Sequence, residues 1–179
     1  DGDLDLFIGG RITPGEYPTT PRSALLRNDS TPGKARFTDV TSALAKDLMN
    51  PGMITSALWS DADGDGWLDL LLTLDWGPVS YFHNDKGTGF SNRTSKSGLA
   101  DQLGWFNSIA GGDVDHDGDI DYVVGNFGRN TKYHPSAEAP TRIYYGNFDE
   151  SGKGQIVEAS VKGGTLLPVR GKSCSQNAM

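Results

Sequence analysis

The chain has 179 residues, 36% of them hydrophobic and 22% charged, with a formal net charge of −7. That balance fits an ordinary globular unit and excludes a disordered polar chain. No apolar run approaches the roughly 20 residues of a spanning helix, and the acidity is the wrong sign for a nucleic-acid surface. The single cysteine, Cys174, rules out an internal disulfide framework. With 24 glycines, 9 prolines and weak helical periodicity, the sequence favours a turn-rich β protein.

In chain order, "DGDLDLFIGG" at 1–10 starts inside an acidic motif, which reads as a missing N-terminus, so the absence of a targeting segment says nothing about the parent protein. "LLRNDSTPGKARFTDVTSALA" at 25–45 resembles "YFHNDKGTGFSNRTSKSGLA" at 81–100, with Asn28 on Asn84, Phe37 on Phe90 and Thr41 on Thr94. Only 41–50, "TSALAKDLMN", has the pattern of a helical turn or two. "MITSALWSD", "WLDLLLTLDW", "VSYFHND" and "GFSNRT" then read as four short strands with a two-residue rhythm. The second is the most apolar, as expected of a strand covered on both faces.

"GMITSALWSDADGDGWLDLLLTLDWG" at 52–77 lies over "GWFNSIAGGDVDHDGDIDYVVGNFG" at 104–128 with an offset of 52 residues: Gly52 on Gly104, Ser56 on Ser108, Asp61 on Asp113. A fixed period near about 50 residues, with four strands per unit, points to β-propeller blades. The expected fold is therefore all-β, with about three blades at 1–50, 51–102 and 103–160, and 161–179 as tail or start of a further unit. Three blades cannot close a ring, so the chain is expected to be part of a larger propeller whose remaining blades are its first partners.

The acidic turns carry the chemistry. Asp61, Asp63, Asp65 and Asp69 fill positions 1, 3, 5 and 9 of one loop, and Asp113, Asp115, Asp117 and Asp121 fill them in the next. Gly66 and Gly118 stand at position 6, where a tight turn needs positive φ. Position 7, Trp67 or Asp119, is expected to add a backbone carbonyl. Carboxylates brought within about 4 Å repel by roughly 4 kcal/mol per pair at an effective dielectric near 20. A hard dication relieves this, and an all-oxygen set suits Ca²⁺ better than zinc or copper. Two such sites are expected, and up to four. Asp1 and Asp5 match positions 5 and 9 of a partial copy, and Asn147, Asp149, Ser151 and Gln155 match positions 1, 3, 5 and 9 of a copy with one charge. The bland alternative is an acidic turn that uses Asp for its turn propensity. An EF-hand needs an acid at position 12; Leu72 and Val124 stand there.

"SALWSDADGDGWLDLLLT" and "SIAGGDVDHDGDIDYVVGN" resemble FG-GAP repeats, also known as VCBS repeats, the blades of the integrin α-subunit head. The wider run, with "GGRITPGEYP" and "RND…FTDVT", is similar to large secreted bacterial VCBS proteins and the cartilage-acidic-protein-like group. The resemblance implies a larger, seven-bladed propeller, loops that join the first two strands of a blade around Ca²⁺, and an extracellular or cell-surface role in adhesion or glycan binding. It departs at Pro51-Gly52 and Leu103-Gly104, where the family has Phe-Gly, which leaves the loops intact but puts an integrin-like partner surface in doubt. The function expected is a calcium-binding, non-enzymatic module for a protein or glycan ligand. A propeller part of a carbohydrate-active enzyme and an architectural spacer are the alternatives. Tyr17, Trp76, Phe127 and Tyr133 are candidates for stacking on a sugar, and Asp75, Arg129 and Tyr133 for lining a groove. His83, His116 and His134 fall in separate units, and His116, at position 4 of its loop, reads as solvated.

Overall fold

The computed structural model describes residues 3–128, 131 and 133–170. Cys174 and Arg129 lie outside the described residues, as does Asp1. The protein is nearly all β, with 42% strand and 4% helix. In chain order the strands are β1 (Leu6–Ile8), β2 (Ala24–Asn28), β3 (Phe37–Asp39), β4 (Met53–Ser60), β5 (Asp69–Asp75), β6 (Gly77–Pro78), β7 (Ser80–Asn84), β8 (Phe90–Asn92), β9 (Leu103–Gly104), β10 (Phe106–Gly112), β11 (Asp121–Asn126), β12 (Arg142–Gly146), β13 (Gln155–Lys162) and β14 (Thr165–Pro168). Between β3 and β4, α1 (Thr41–Leu44) and a 3-10 turn (Lys46–Leu48) form the short helical stretch that 41–50 predicts.

The second sheet, β4-β5-β7-β8, is a complete four-stranded antiparallel blade. Its strands fall where the alternating apolar segments place them. All seven residues of β5 are buried, the result expected of the most apolar strand. The sheet β1-β2-β3 repeats β5-β7-β8 in detail. Leu25 N–H donates to the Thr41 hydroxyl at 2.8 Å, and Tyr81 N–H donates to the Thr94 hydroxyl at 3.0 Å. The backbone N–H groups of Thr41 and Thr94 donate in turn to Asp39 and Asn92, each at 3.0 Å. The repeat seen in "FTDVT" and "FSNRT" is therefore a repeated turn in which a Thr hydroxyl ties the end of one strand to the start of another. The third sheet element, the hairpin β10–β11, repeats β4–β5.

Two compact units divide the chain at 126/127. The first holds β1 to β11 and its core: Leu25, Val40, Ala45, Leu48, Ile54, Leu70, Leu72, Leu74 and Phe82, with Phe7, Trp59 and Phe90 packed against it. Each large side chain so buried contributes about 1.5–3 kcal/mol. Within this unit β4 is held from both sides. Ile54 N–H donates to Gly10 O at 3.1 Å, and the Thr55 hydroxyl donates to Phe106 O at 2.7 Å. A side chain at Gly9 would collide with Ile54, its Cβ lying 2.8 Å from Ile54 Cγ2, so glycine there lets the neighbouring sheet approach. The second unit contains the sheet β12-β13-β14.

Candidate metal centre

Three hairpins among the described residues close on a nine-residue loop in the same register. The pair next to the loop is Ser60↔Asp69 in β4–β5, Gly112↔Asp121 in β10–β11 and Gly146↔Gln155 in β12–β13. In each loop position 6 is a left-handed glycine, with φ of 88° at Gly66, 98° at Gly118 and 81° at Gly152. Position 4 is left-handed too, although its occupants are Gly64, His116 and Glu150. Backbone geometry is thus common to all three, whatever side chain stands at position 4. Leu72 and Val124, at position 12, lie within β5 and β11, so the flanks are strands and not the helices of an EF-hand.

Side chains of the two complete loops are tied to the backbone identically. In 61–69 the Asp61 carboxylate accepts from Asp65 N–H at 3.0 Å and from Gly66 N–H at 2.9 Å. Asp65 accepts from Trp67 N–H at 2.9 Å, and Asp69 accepts from Ala62 N–H at 3.1 Å. In 113–121 the same four bonds join Asp113 to Asp117 and Gly118, both at 3.2 Å, Asp117 to Asp119 at 3.1 Å, and Asp121 to Val114 at 2.9 Å. These bonds leave carboxylate oxygens converging. One oxygen each from Asp61, Asp63 and Asp65 lie within 4.8 Å of one another, as do one each from Asp113, Asp115 and Asp121. The donor set is hard oxygen, and it fits a divalent cation. Asp119, which replaces Trp67 at position 7, has its pKa raised by its contact with Asp117 and, to a smaller degree, by the charges of Asp121 and Asp113.

The two centres differ in what stands behind them. Asp69 is fully buried, and besides Ala62 it accepts from Asn84 N–H at 2.8 Å and from the Tyr81 hydroxyl at 3.0 Å. Burial, and then the bond to Asp69, push the Tyr81 pKa up. His83 brings a nitrogen to the same place: Nδ1 lies 3.1 Å from Asp63 and 3.3 Å from Asp69, so Asp63, Asp69 and His83 form a further group able to hold a metal. His83 is the residue that loop spacing could not reveal. It arrives through the β5–β7 register Leu70↔Phe82, 14 residues after the loop ends. His116 stays exposed, as its place at position 4 predicts.

The partial copies keep fragments of this pattern. Asp5 at position 9 accepts from Asn28 N–H at 2.9 Å, the counterpart of Asp69 with Asn84. In 147–155, where Asn147 takes position 1, Gln155 accepts from Phe148 N–H at 2.7 Å, and Ser151 accepts from Lys153 N–H at 3.3 Å. Asp149 accepts from Ser151 N–H at 3.0 Å, and its pKa is lowered by its bonds with Ser151 and, to a smaller degree, with Gln155.

At the end of β5 away from its loop, Asp75 pairs with Arg11 at 2.9 Å. Beside it the Trp76 indole N–H donates to the Tyr17 hydroxyl, and Trp76 stacks on Trp105 with centroids 5.2 Å apart. Phe127 and Tyr133 belong to the second unit.

Residues 61–124 match the profile of the family described as FG-GAP-like repeat. The match spans both complete acidic loops and the strands between them, so this stretch carries the repeat that "DADGDGWLD" and "DVDHDGDID" resemble. FG-GAP repeats are blades of β-propellers. A search among curated proteins returns no match. No helix among the described residues is long and apolar enough to cross a membrane.

Proposed function

We propose that the protein is a propeller module whose loops 61–69 and 113–121 each bind Ca²⁺, that the ion is structural, and that the module acts outside the cell on a protein or glycan ligand. The observation that carries this is common to the two loops: the same four backbone bonds order them, and in each the carboxylates of positions 1 and 3 converge with one more acid, Asp65 in the first and Asp121 in the second. Several oxygens on a flexible, strand-pinned loop suit Ca²⁺, which takes about six to eight oxygens in irregular geometry; Mg²⁺ demands a near-regular octahedron. Bound ion offsets the repulsion among the carboxylates and so holds the ends of β4–β5 and β10–β11 together. The chemistry is binding and not turnover, in keeping with a repeat that serves as a structural module. The remaining blades would come from the rest of a longer chain. Partner contact is assigned to the ends of the strands away from the ions, where Tyr17, Trp76 and Trp105 supply aromatic surface beside Asp75 and Arg11.

Titration calorimetry of the chelator-stripped chain tests the proposal. Ca²⁺ is expected to bind at two sites and to raise the melting temperature; at about 100 times the Kd each site stabilises by about 2.7 kcal/mol. Heat and melting curves unchanged by Ca²⁺ would overturn it.

A further inference from the structure

The third loop has the backbone of the other two but a different centre. Position 9 has two duties in a cage. One oxygen accepts from the N–H of position 2, as Asp69 does from Ala62 and Asp121 from Val114, and the group also offers an oxygen to its neighbours in the cluster, Asp121 to Asp113 and Asp115 and Asp69 to Asp63. A carboxylate can do both, because both of its ends are acceptors. A carboxamide has one acceptor end. In 147–155 that end, Gln155 Oε1, is taken by Phe148 N–H at 2.7 Å, which turns the NH₂ inward. There Nε2 donates to Asp149 Oδ1 at 2.6 Å and to Ser151 Oγ at 3.1 Å, the side chains of positions 3 and 5. Turning the amide over would set its NH₂ against the Phe148 N–H, donor against donor, and leave Asp149 without this partner.

We infer that in 147–155 the Gln155 amide stands where the other loops need a cation, so that this hairpin closes without metal and Gln155 is the residue that sets its cation independence. The inference rests on the reading of the other two loops as cation sites, since it assigns the amide their ion's place. It makes the chain's response to cation uneven: β4–β5 and β10–β11 slacken when the ion is removed, while β12–β13 keeps its form.

Hydrogen exchange on the whole chain, with Ca²⁺ and with chelator, reads this directly. Chelation is expected to lower protection of the Ala62, Asp65, Gly66, Val114, Asp117 and Gly118 amides by about tenfold or more, and to change that of Phe148, Ser151 and Lys153 by less than about twofold. A second arm uses substitution. The double variant Ser151→Asp/Gln155→Asp is expected to bind one ion more than the parent chain, and Ser151→Asp alone, which keeps the amide, is not. The inference is overturned by Ca²⁺-dependent protection of Phe148, Ser151 and Lys153, by an extra ion in Ser151→Asp alone, or by none in the double variant. Its failure is separable from that of the calcium reading. If no ion binds at 61–69 or 113–121 while the 148–153 amides stay protected in chelator, the calcium reading falls and the amide clasp stands.

Discussion

At the scale of single residues, Asp69 and Asp121 occupy the same loop position but carry different loads. Asp69 is fully buried and accepts from Ala62 N–H, Asn84 N–H and the Tyr81 hydroxyl. Asp121 lies on a hairpin that, among the described residues, pairs with no third strand in its sheet, and it accepts from Val114 N–H on an exposed loop. Deleting an acceptor strands its donors, and a buried donor without a partner costs about 1–3 kcal/mol, whereas an exposed one turns to water. In chelator, where no ion contributes, Asp69→Ala is expected to destabilise the first unit by about 3 kcal/mol or more, and Asp121→Ala by about 1 kcal/mol or less. Urea unfolding of the two variants measures both; equal losses would mean that the buried network around Asp69 is not what distinguishes the sites. The position-9 acids were legible in the sequence. That one is a buried junction was not, because its partners Tyr81, His83 and Asn84 come from β7, which pairing alone brings alongside.

At the scale of elements, the loop is a backbone form that accepts different side chains at position 4 and holds glycine at position 6 in each copy. Both are left-handed in all three copies. A Cβ at Gly64 would meet nothing within 4 Å, so a residue there is opposed by its φ of 73° alone. His116 already bears that conformation, at φ 66°, in the second loop. A non-glycine residue in this region costs roughly 1–2 kcal/mol, less the chain entropy that glycine adds to the unfolded state, about 0.5–1 kcal/mol. Gly64→Ala is therefore expected to lower the melting temperature of the calcium-loaded chain by about 2–4 °C, and His116→Gly to raise it by up to the same amount. Opposite shifts of this size, read by calorimetry, would establish that backbone conformation governs the position; a fall in both would point instead to the His116 side chain, whose Nδ1 lies 3.3 Å from Val114 O. Local pattern carried these elements well. Apolar alternation placed β4, β5, β7 and β8, the Asp-Gly spacing placed the turns, and "TSAL" placed α1. The hairpin β12–β13 was the harder case, since "NFDESGKGQ" has the spacing of a cage without its charge, and what the Gln155 amide does depends on which of its ends meets Phe148 N–H.

At the scale of the whole chain, negative charge is concentrated and not spread. The net charge is −7, and 61–69 and 113–121 together hold nine of the aspartates: Asp61, Asp63, Asp65, Asp69, Asp113, Asp115, Asp117, Asp119 and Asp121. Within each cluster the oxygens lie far inside a Debye length, which is about 8 Å at 0.15 M salt, so monovalent ions at that strength relieve little. At about 1 M the length falls to about 3 Å, comparable with the spacing in the cages, and the repulsion is screened. Salt also weakens attraction, but the pairs Arg22–Asp39 and Arg27–Asp29 lie at the surface, where ion pairs contribute little, and Asp75, paired with Arg11, is buried where screening is weak. The like-charge contribution therefore governs the sign. In chelator, raising NaCl to about 1 M is expected to lift the melting temperature of the first unit by several degrees; with Ca²⁺ saturating the loops, the same change should move it by about a degree or less. The 147–155 loop has a single carboxylate at its ligand positions, that of Asp149, so its amide protection should not follow the salt. The comparison is made by calorimetry on one preparation with and without chelator. An equal salt response in the two states would mean that the carboxylates do not repel one another in the folded chain, and the physical case for cations in these loops would go with it.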